Sequence, residues 1–137
     1  MEKSRIYLDD IRTPTESDWT VCRSYDEFVK TVDALGLENI ETISLDHDLG
    51  DTAIREYFKN TSKNYIIDYN NIHEKTGYDC AKWIVNKSIE DAINLPPITV
   101  HSANPVGAAN IMGYINNYLK NVRLPQTCVR TKIPHVV

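Results

Sequence analysis

The sequence has 137 residues and a mass of 15.7 kDa, which is room for one domain and one hydrophobic core. Apolar residues make up 42% and charged residues 25%, the proportions of a soluble globular protein, which excludes a disordered or fibrous chain. The chain carries 15 Lys and Arg against 19 Asp and Glu, a formal net charge of −4. This balance argues against a protein that holds long nucleic acid, because such proteins neutralise phosphates with a basic face.

No apolar run is long enough to span a membrane, and the apolar run near the N-terminus is too short for a signal peptide. The three cysteines, Cys22, Cys80 and Cys128, are odd in number and lack the spacing of a metal site. Buried thiols in a reducing compartment fit this pattern. We therefore expect a cytoplasmic protein of one domain, residues 1–137, that does not bind a membrane.

The first third of the chain predicts two strands and a helix. Residues 6–8 are a short apolar run that ends in an acidic pair, and a proline-bearing loop follows over 11–18. Alternating polarity and β-branched residues predict a second strand over 19–23. Ser24 then has the position of a helix N-cap, and Gly36 is placed to stop that helix.

The middle of the chain predicts a strand, an insertion and a long helix. Residues 40–45 form the third strand, and the polar stretch 51–75 is interpreted as an insertion with one helix near 52–59. Thr76-Gly77 opens a clear helix. The apolar residues expected on the buried face of this helix are Ala81, Val85, Ile89 and Ile93.

The last third predicts a strand, a helix and a strand. Residues 98–100 form the fourth strand, Asn104 is a good cap with Pro105 at the first helical position, and 127–131 form the fifth strand. The buried face of the helix is predicted from Ala108, Met112, Ile115 and Leu119. Strands that alternate with helices of crossover length indicate an α/β domain with a mostly parallel sheet.

Chemistry-bearing side chains follow four of the five predicted strands. They are Asp9 and Asp10, then Asp46, His47 and Asp48, then His101 and Ser102, and last Lys132. In open α/β sheets, ligands bind beyond the carboxyl ends of the strands. Grouped carboxylates repel one another unless a cation lies between them, and oxygen ligands suit Mg²⁺ or Mn²⁺. The pattern therefore predicts a divalent-metal site that meets a phosphate.

The order of these residues resembles the receiver domain of two-component response regulators. The resemblance implies a receiver-like (flavodoxin-like) three-layer sandwich with a five-stranded, mostly parallel sheet whose first helix is reduced or missing. It places Asp9, Asp10 and Asp46 at the metal-binding acids, with Asp46 at the phospho-acceptor position, and Ser102 at the phosphate-binding hydroxyl. Lys132 matches the receiver lysine only loosely, because the proline that follows it in receivers is displaced by one residue.

A closer resemblance is to a divergent branch, the cyclic-phosphate-processing receiver-like domains. The segments that carry it are Leu8-Asp9-Asp10-Ile11-Arg12 with Pro14, Ser44-Leu45-Asp46-His47-Asp48-Leu49-Gly50, Thr76-Gly77-Tyr78-Asp79 and Val100-His101-Ser102-Ala103-Asn104-Pro105. The resemblance covers nearly the whole chain outside the insertion. It implies a hydrolase that processes a cyclic phosphate on a nucleotide, an RNA end or an ADP-ribose derivative, connected with RNA repair or nucleotide signalling.

Hydrolysis of a cyclic phosphodiester needs a cation at the phosphoryl oxygens, a base for water and an acid for the departing alkoxide. The predicted metal ligands are Asp9, Asp10, Asp46 and Asp48, for Mg²⁺ or Mn²⁺. The predicted catalytic residues are His47, His101 and Asp46, since imidazole titrates near neutral pH. Asp48 is expected either to orient a histidine or to bind the metal through water.

The predicted substrate-binding residues are Arg12, Ser102, Asn104 and Lys132. Arg12 is suited to hold a phosphate with two hydrogen bonds. Ser102, Asn104 and the helix N-terminus at Pro105 are predicted to form an anion cradle, because backbone N–H groups are unsatisfied there. In the insertion, two interpretations stay open, stacking on a nucleobase and packing against the body, for Tyr57, Tyr65 and Tyr69.

Three functions compete at this stage. The first is a metal-dependent cyclic phosphodiesterase, in which Asp46 is either a metal ligand or a covalent nucleophile. The second is a phospho-acceptor signalling domain that is phosphorylated on Asp46. The third is a protein that binds a cyclic nucleotide without cleaving it. Histidines at positions 47 and 101 favour the first, since ordinary receivers do not need them.

Overall fold

Five strands form one parallel sheet in the computed structural model, which describes residues 2–59 and 65–133. The strands, numbered along the chain, are β1 (Ser4–Leu8), β2 (Trp19–Cys22), β3 (Ile40–Leu45), β4 (Ile98–Val100) and β5 (Val129–Arg130). Their order across the sheet is β2-β1-β3-β4-β5, and every pairing is parallel. The predicted α/β, receiver-like class with five strands is confirmed, and the sheet is wholly parallel.

Four α-helices lie between these strands. They are α1 (Tyr25–Leu35), α2 (Asp51–Lys59), α3 (Gly77–Asp91) and α4 (Pro105–Asn121), and short 3-10 helices lie at Leu37–Asn39 and Tyr69–Asn71. Ser24, Thr76 and Asn104 cap α1, α3 and α4, as predicted. The predicted insertion contains α2 and the second 3-10 helix, and its residues 60–64 lie outside the described residues. None of the described helices has the length and apolar character needed to cross a membrane.

The connection between β1 and β2 is a loop without a helix, as its length predicted. Arg23, directly after β2, holds this loop in place. Its Nη1 donates to the carbonyl oxygens of Asp9 (3.2 Å) and Arg12 (2.7 Å), and its Nη2 donates to the hydroxyl of Thr13. The loop therefore has a fixed path although it contains no regular structure.

One hydrophobic core lies between the sheet and the helices. Alternate residues of three strands contribute to it, Ile6 and Leu8 on β1, Ile43 and Leu45 on β3, and Ile98 and Val100 on β4. On α4 the predicted Ala108, Ile115 and Leu119 are buried, Met112 is partly buried, and Ile111 joins them. The helical period therefore located the core-facing side of α4 correctly.

The predicted buried face of α3 is partly wrong. Ala81 and Val85 are buried as expected, but Ile89 is 58% exposed. The buried stripe continues instead through Ile84 and Ser88. Ser88 can lie inside because its hydroxyl donates to the carbonyl oxygen of Ile93 just beyond the helix, which satisfies the polar group.

The register of the sheet brings three strand ends side by side. Leu8 pairs with Leu45, and Leu45 pairs with Val100. The next backbone N–H groups continue this pattern, from Asp46 to the carbonyl of Leu8 (3.0 Å) and from His101 to the carbonyl of Leu45 (2.9 Å). The residues that follow β1, β3 and β4 therefore leave the sheet next to one another.

Candidate active site

A buried group of two carboxylates and one imidazole lies where β1, β3 and β4 end. Asp9, Asp46 and His101 each offer one metal-ligating atom, and these three atoms lie within 4.8 Å of one another. All three residues are buried. The sheet register thus assembles the predicted site from positions that are far apart in the sequence.

Asp9 is a carboxylate held by four donors. Its Oδ1 accepts from the backbone N–H groups of Ile11 (3.0 Å) and Arg12 (2.8 Å). Its Oδ2 accepts from Arg12 Nη1 and from His101 Nε2, both at 3.1 Å. Burial acts to raise the pKa of Asp9, but the hydrogen bonds from His101, Arg12 and Ile11 outweigh it and hold the pKa below its usual value. Asp9 is therefore a fixed negative charge.

His101 lies behind Asp9, away from solvent. Because the ionised carboxylate of Asp9 can only accept, His101 Nε2 carries the proton, and Nδ1 accepts from the Ser44 hydroxyl at 2.7 Å. The imidazole stacks on the ring of Tyr7, with ring centroids 4.3 Å apart and planes 6° from parallel. Burial lowers the pKa of His101, although Asp9 opposes that shift, so the ring is neutral near pH 7.

Asp46 carries a negative charge that its surroundings compensate poorly. It is 4% exposed, and burial followed by the charge of Asp9 raises its pKa to about 7. Its Oδ1 accepts from the backbone N–H of His47 at 2.8 Å. Arg12 is the nearest described cation, with Nη1 3.1 Å from Asp9 Oδ2 and 3.6 Å from Asp46 Oδ2. One guanidinium is thus placed between two carboxylates.

His47 is also fully buried and lies on the other side of the site. Its Nδ1 donates to Asp48 Oδ1 at 2.6 Å, and its Nε2 accepts from the hydroxyl of Tyr69 at 2.9 Å. The Tyr69 oxygen in turn accepts from Asn110 Nδ2 at 3.1 Å. This chain of hydrogen bonds runs from α4 through the insertion to Asp48.

Two glycines make room for this arrangement. A Cβ at Gly107, in the first turn of α4, would lie 2.4 Å from His47 Cγ. A Cβ at Gly77, the first residue of α3, would lie 1.7 Å from the carbonyl oxygen of Asp46. Both helices therefore approach the Asp46-His47 segment more closely than any side chain allows. Thr76-Gly77 begins the helix and also packs against the site.

The site opens into a pocket of about 250 Å³. Its described lining residues are Asp10, Ile11, Arg12, Asp46, Asp48, Ile54, Tyr57, Phe58, Ser102, Ala103 and Asn104. Burial raises the pKa of Asp10, and the charge of Asp9 adds to this effect. Neither His47 nor His101 is among the described residues that line the pocket. Each histidine instead lies behind the pocket and donates to a carboxylate, His47 to Asp48 and His101 to Asp9.

The predicted anion cradle at the start of α4 is wrong in one respect. Asn104 Oδ1 accepts from the backbone N–H groups of Val106 (3.1 Å) and Gly107 (3.0 Å), so these groups are already satisfied. The Asn104 N–H donates to Ser102 Oγ at 3.0 Å. That bond leaves the Ser102 hydroxyl proton to donate toward the pocket. Ser102 keeps its predicted place, whereas Asn104 is first a helix cap.

Lys132 is exposed and lies apart from the acidic pocket. It lines a neighbouring cavity together with Arg130 and shares Ser102 and Ala103 with the first pocket. Arg130 donates through Nε (3.2 Å) and Nη2 (3.0 Å) to the carbonyl oxygen of Ser102. The predicted role of Lys132 in substrate binding stays a prediction, and the side chain that holds the Ser102 loop is Arg130.

Comparison with known proteins identifies the family. The sequence model of the cyclic-phosphate processing receiver domain matches residues 4–117, most of the chain. The chain belongs to this family. No curated protein and no solved structure gave a significant match. The resemblance seen in the sequence is confirmed, and in this receiver domain the segments that carried it surround one pocket.

Two residues with a part in this receiver domain's site were not found from the sequence: Arg23 fixes the loop that carries Arg12, and Phe58 lines the pocket. Tyr69 was considered from the sequence, but its bond to His47 was not predicted. Of the three tyrosines considered for stacking, Tyr57 lines the pocket. The hydroxyl of Tyr69 bonds to His47, and the hydroxyl of Tyr65 lies 3.5 Å from Glu56 Oε2. Gly107, in the first turn of α4, was the sequence signal that a bulky side chain, here His47, packs against the start of this helix.

Proposed function

We propose that this receiver domain is a metal-dependent phosphoesterase that opens a cyclic phosphate on a nucleotide, an RNA end or an ADP-ribose derivative. The observation that carries this proposal is the pair Asp9 and Asp46, two buried carboxylates of which Asp46 lines the pocket and has a pKa raised to about 7. Such a pair is unfavourable without a cation and binds one readily. Membership in the cyclic-phosphate processing family supports the choice of substrate.

The donor set fits a hard divalent cation. Asp9 and Asp46 supply oxygens on adjacent strand ends, and Asp10 lines the pocket together with Asp46. His101 is less suited as a ligand, because its Nε2–H already donates to Asp9 and its Nδ1 already accepts from the Ser44 hydroxyl. A set of oxygens with room for substrate phosphate and water suits Mg²⁺ or Mn²⁺.

A bound divalent cation would stabilise charge on the phosphoryl oxygens and lower the pKa of a coordinated water. The remaining steps belong to residues of this chain. Asp46 carries the negative charge at the pocket, Asp9 carries a second one directly behind it, and Arg12 lies within reach of both and can turn to a phosphate oxygen. Ser102, which also lines the pocket, offers its hydroxyl proton.

Asp48 is the residue we assign to proton transfer. It lines the pocket, and its Oδ1 is held by His47 Nδ1 (2.6 Å) and Asn104 Nδ2 (3.4 Å). The second carboxylate oxygen is thereby oriented to accept a proton from water. His47 positions Asp48, just as His101 positions Asp9. Both histidines therefore act indirectly in the proposed reaction, through the carboxylates to which they donate.

The direct test is turnover. Purified protein with Mg²⁺ or Mn²⁺ is incubated with nucleoside 2′,3′-cyclic phosphates and with ADP-ribose 1″,2″-cyclic phosphate, and phosphorus NMR follows ring opening. We expect one of these substrates to give a phosphomonoester, and EDTA to abolish the reaction. Asp46→Asn should remove turnover, whereas Glu90→Gln, an exposed acid on α3, should leave it unchanged.

Absence of turnover of every cyclic phosphate by a folded protein that binds the metal would refute an enzymatic function. If the cyclic ligand then binds and is recovered intact, the chain is a cyclic-phosphate binder. The two outcomes are separated by measuring binding by calorimetry on the same preparation.

A phospho-acceptor function is the second candidate, because Asp46 directly follows β3 and lines the pocket. It predicts that acetyl phosphate forms an acyl phosphate on Asp46, detectable by intact mass and lost in Asp46→Asn. None of the described residues that line the pocket is a lysine, which disfavours this candidate. A stable acyl phosphate without hydrolysis of cyclic substrates would decide in its favour.

A further inference from the structure

The pocket is lined by two unlike groups of residues. One group is acidic and polar and forms the acidic side, and the other consists of Ile11, Ile54, Tyr57 and Phe58, which we call the apolar wall. No member of this wall carries a charge. The acidic side suits a phosphate held through a cation, whereas the apolar wall has nothing to offer a phosphate. The wall must therefore contact a different part of the ligand.

The apolar wall is built mainly from one face of α2. Ile54, Tyr57 and Phe58 are spaced i, i+3 and i+4, so they lie on the same side of the helix. Ala53 and Glu56 are buried instead. The helix thus turns its apolar face to the pocket, although a surface helix normally turns such a face to the core.

The orientation of α2 is fixed by two acidic side chains. Glu74 Oε1 accepts from the backbone N–H groups of Thr52 (2.9 Å) and Ala53 (3.3 Å) at the start of the helix. Glu56, on the buried face, accepts from the N–H of Asp68 at 3.2 Å and from Asn71 Nδ2 at 3.1 Å. The wall is therefore preorganised, which limits the entropy lost when a ligand binds.

Two side chains of the wall are strongly exposed. Ile11 is 70% and Phe58 is 68% exposed, and both border this one pocket although they come from different segments. The ring of Phe58 lies 5.6 Å from the ring of Tyr57, centroid to centroid. An aromatic pair with an open face next to a phosphate site matches a ligand that carries a planar ring a short distance from its phosphate.

We propose that the apolar wall binds the nucleobase of the substrate, so that the enzyme requires a nucleoside phosphate and does not accept a bare sugar phosphate. This rests on the proposed function and names its substrate class. Recognition is by stacking and apolar contact, because the only side-chain polar group on the wall is the Tyr57 hydroxyl. We therefore expect a strong requirement for a base with weak selection among bases, purines binding more tightly than pyrimidines because they stack over a larger area.

The test compares binding of adenosine 3′-monophosphate and ribose 5-phosphate by calorimetry with Mg²⁺ present, so that no turnover is needed. We expect Phe58→Ala to weaken binding of the nucleotide about tenfold or more, the usual effect of losing a stacked ring, and to leave the sugar phosphate unchanged. Phe58→Tyr keeps a ring and should retain affinity within about threefold. Phe58→Leu keeps apolar contact without a ring and should resemble Phe58→Ala.

Ile66→Ala is the matched control, since Ile66 is 85% exposed and is not among the described lining residues. Equal affinity of the native protein for both ligands, or an equal loss of both in Phe58→Ala, would overturn the assignment. Turnover is measured separately. If base-dependent binding persists without cleavage of any cyclic phosphate, the apolar wall binds a base but the proposed phosphoesterase function is wrong. If cyclic glycerol phosphate is cleaved as fast as a cyclic nucleotide, the phosphoesterase function is supported and base binding by the wall is wrong.

Discussion

The site contains two groups of residues, each centred on a histidine, which we call the His101 half and the His47 half; their hydrogen bonds are alike, but their residues come from different elements. In each half a fully buried histidine gives a ring N–H to a carboxylate and accepts a hydroxyl proton on its other nitrogen. The His101 half takes Asp9 from the position directly after β1 and Ser44 from β3. The His47 half takes Tyr69 from the insertion and, behind it, Asn110 from α4.

The difference lies in how firmly each carboxylate is held. Asp9 receives four hydrogen bonds and has a lowered pKa. Asp48 receives two, both on Oδ1, and it faces the pocket. The His101 half therefore supplies a fixed charge suited to a cation, and the His47 half supplies a carboxylate, Asp48, with one oxygen left for chemistry. We expect mutations in the two halves to affect different steps.

The largest effects should separate metal binding from turnover. Asp9→Asn removes a fixed charge and should weaken Mn²⁺ affinity by roughly 100-fold or more, the upper range for a perturbed ligand set. Asp48→Asn should leave Mn²⁺ affinity nearly unchanged and lower turnover about 10²–10⁴-fold, the usual value of a general base. Calorimetry and ring-opening rates measure the two effects. Equal losses of metal affinity in both variants would break the division between the halves.

Asp46 lies between the halves, and its pKa predicts a pH-dependent stability. In the folded protein the pKa is about 7, against about 3.9 in an unfolded chain. The folded state thus holds the proton more tightly, so the free energy of unfolding falls as pH rises from about 4 to about 7. Without metal, Asp46→Asn should be more stable than the native protein by up to about 4 kcal/mol at pH 8 and equal to it near pH 4.

Urea unfolding in EDTA at both pH values measures this difference. Asn retains an oxygen for the His47 N–H, so the comparison isolates the charge. Added Mg²⁺ should stabilise the native protein and not the variant, because the cation compensates a charge that the variant lacks. A gain at pH 8 that persists at pH 4 would show that packing is responsible and that the Asp46 charge is already compensated.

Removing the hydroxyl that bonds to each histidine should give smaller effects than changing the carboxylates. One variant should lose metal affinity and the other should lose turnover. Ser44→Ala leaves Nδ1 of His101 unpaired and should weaken metal affinity about 10- to 100-fold, as for other groups that orient ligands. Tyr69→Phe leaves Nε2 of His47 unpaired and should lower turnover about tenfold with metal affinity retained. Both changes leave the carboxylates in place, so each variant is the other's control. The same profile in both would mean that the histidines have one shared role.

The sequence predicted the elements well because their signals are local. Caps at Ser24, Thr76 and Asn104 and the periodic apolar residues of α4 act within a few positions, and the structure has these helices where the pattern placed them. Positions of site residues beyond strand ends were also predictable, since parallel strands end at one edge. The apolar period placed Ile89 on the buried face of α3 because it counts only apolar residues. Ser88 is buried there instead, since its hydroxyl donates to the nearby carbonyl of Ile93.

The layering of the site was not predictable in the same way. Whether a histidine after a strand faces the pocket or lies behind a carboxylate depends on what packs over it. His47 is covered by α4 at Gly107 and by Tyr69, which lies 22 residues away in sequence. His101 is covered by stacking on Tyr7. These are tertiary contacts, and residue type at the strand end carries no information about them.

The smallest expected effect concerns Arg12, which lies between the halves as a cation. Its Nη1 is 3.1 Å from Asp9 Oδ2 and 3.6 Å from Asp46 Oδ2, so a metal ion must share or displace it. Arg12→Gln should therefore tighten Mn²⁺ binding severalfold in the absence of phosphate, because a competing positive charge is lost. The same change should weaken binding of a nucleoside monophosphate, because the phosphate loses a charge-assisted donor. Lys30→Gln removes the same charge at an exposed position outside the pocket, so it should change neither affinity, and an equal response of both variants would reduce the role of Arg12 to net charge.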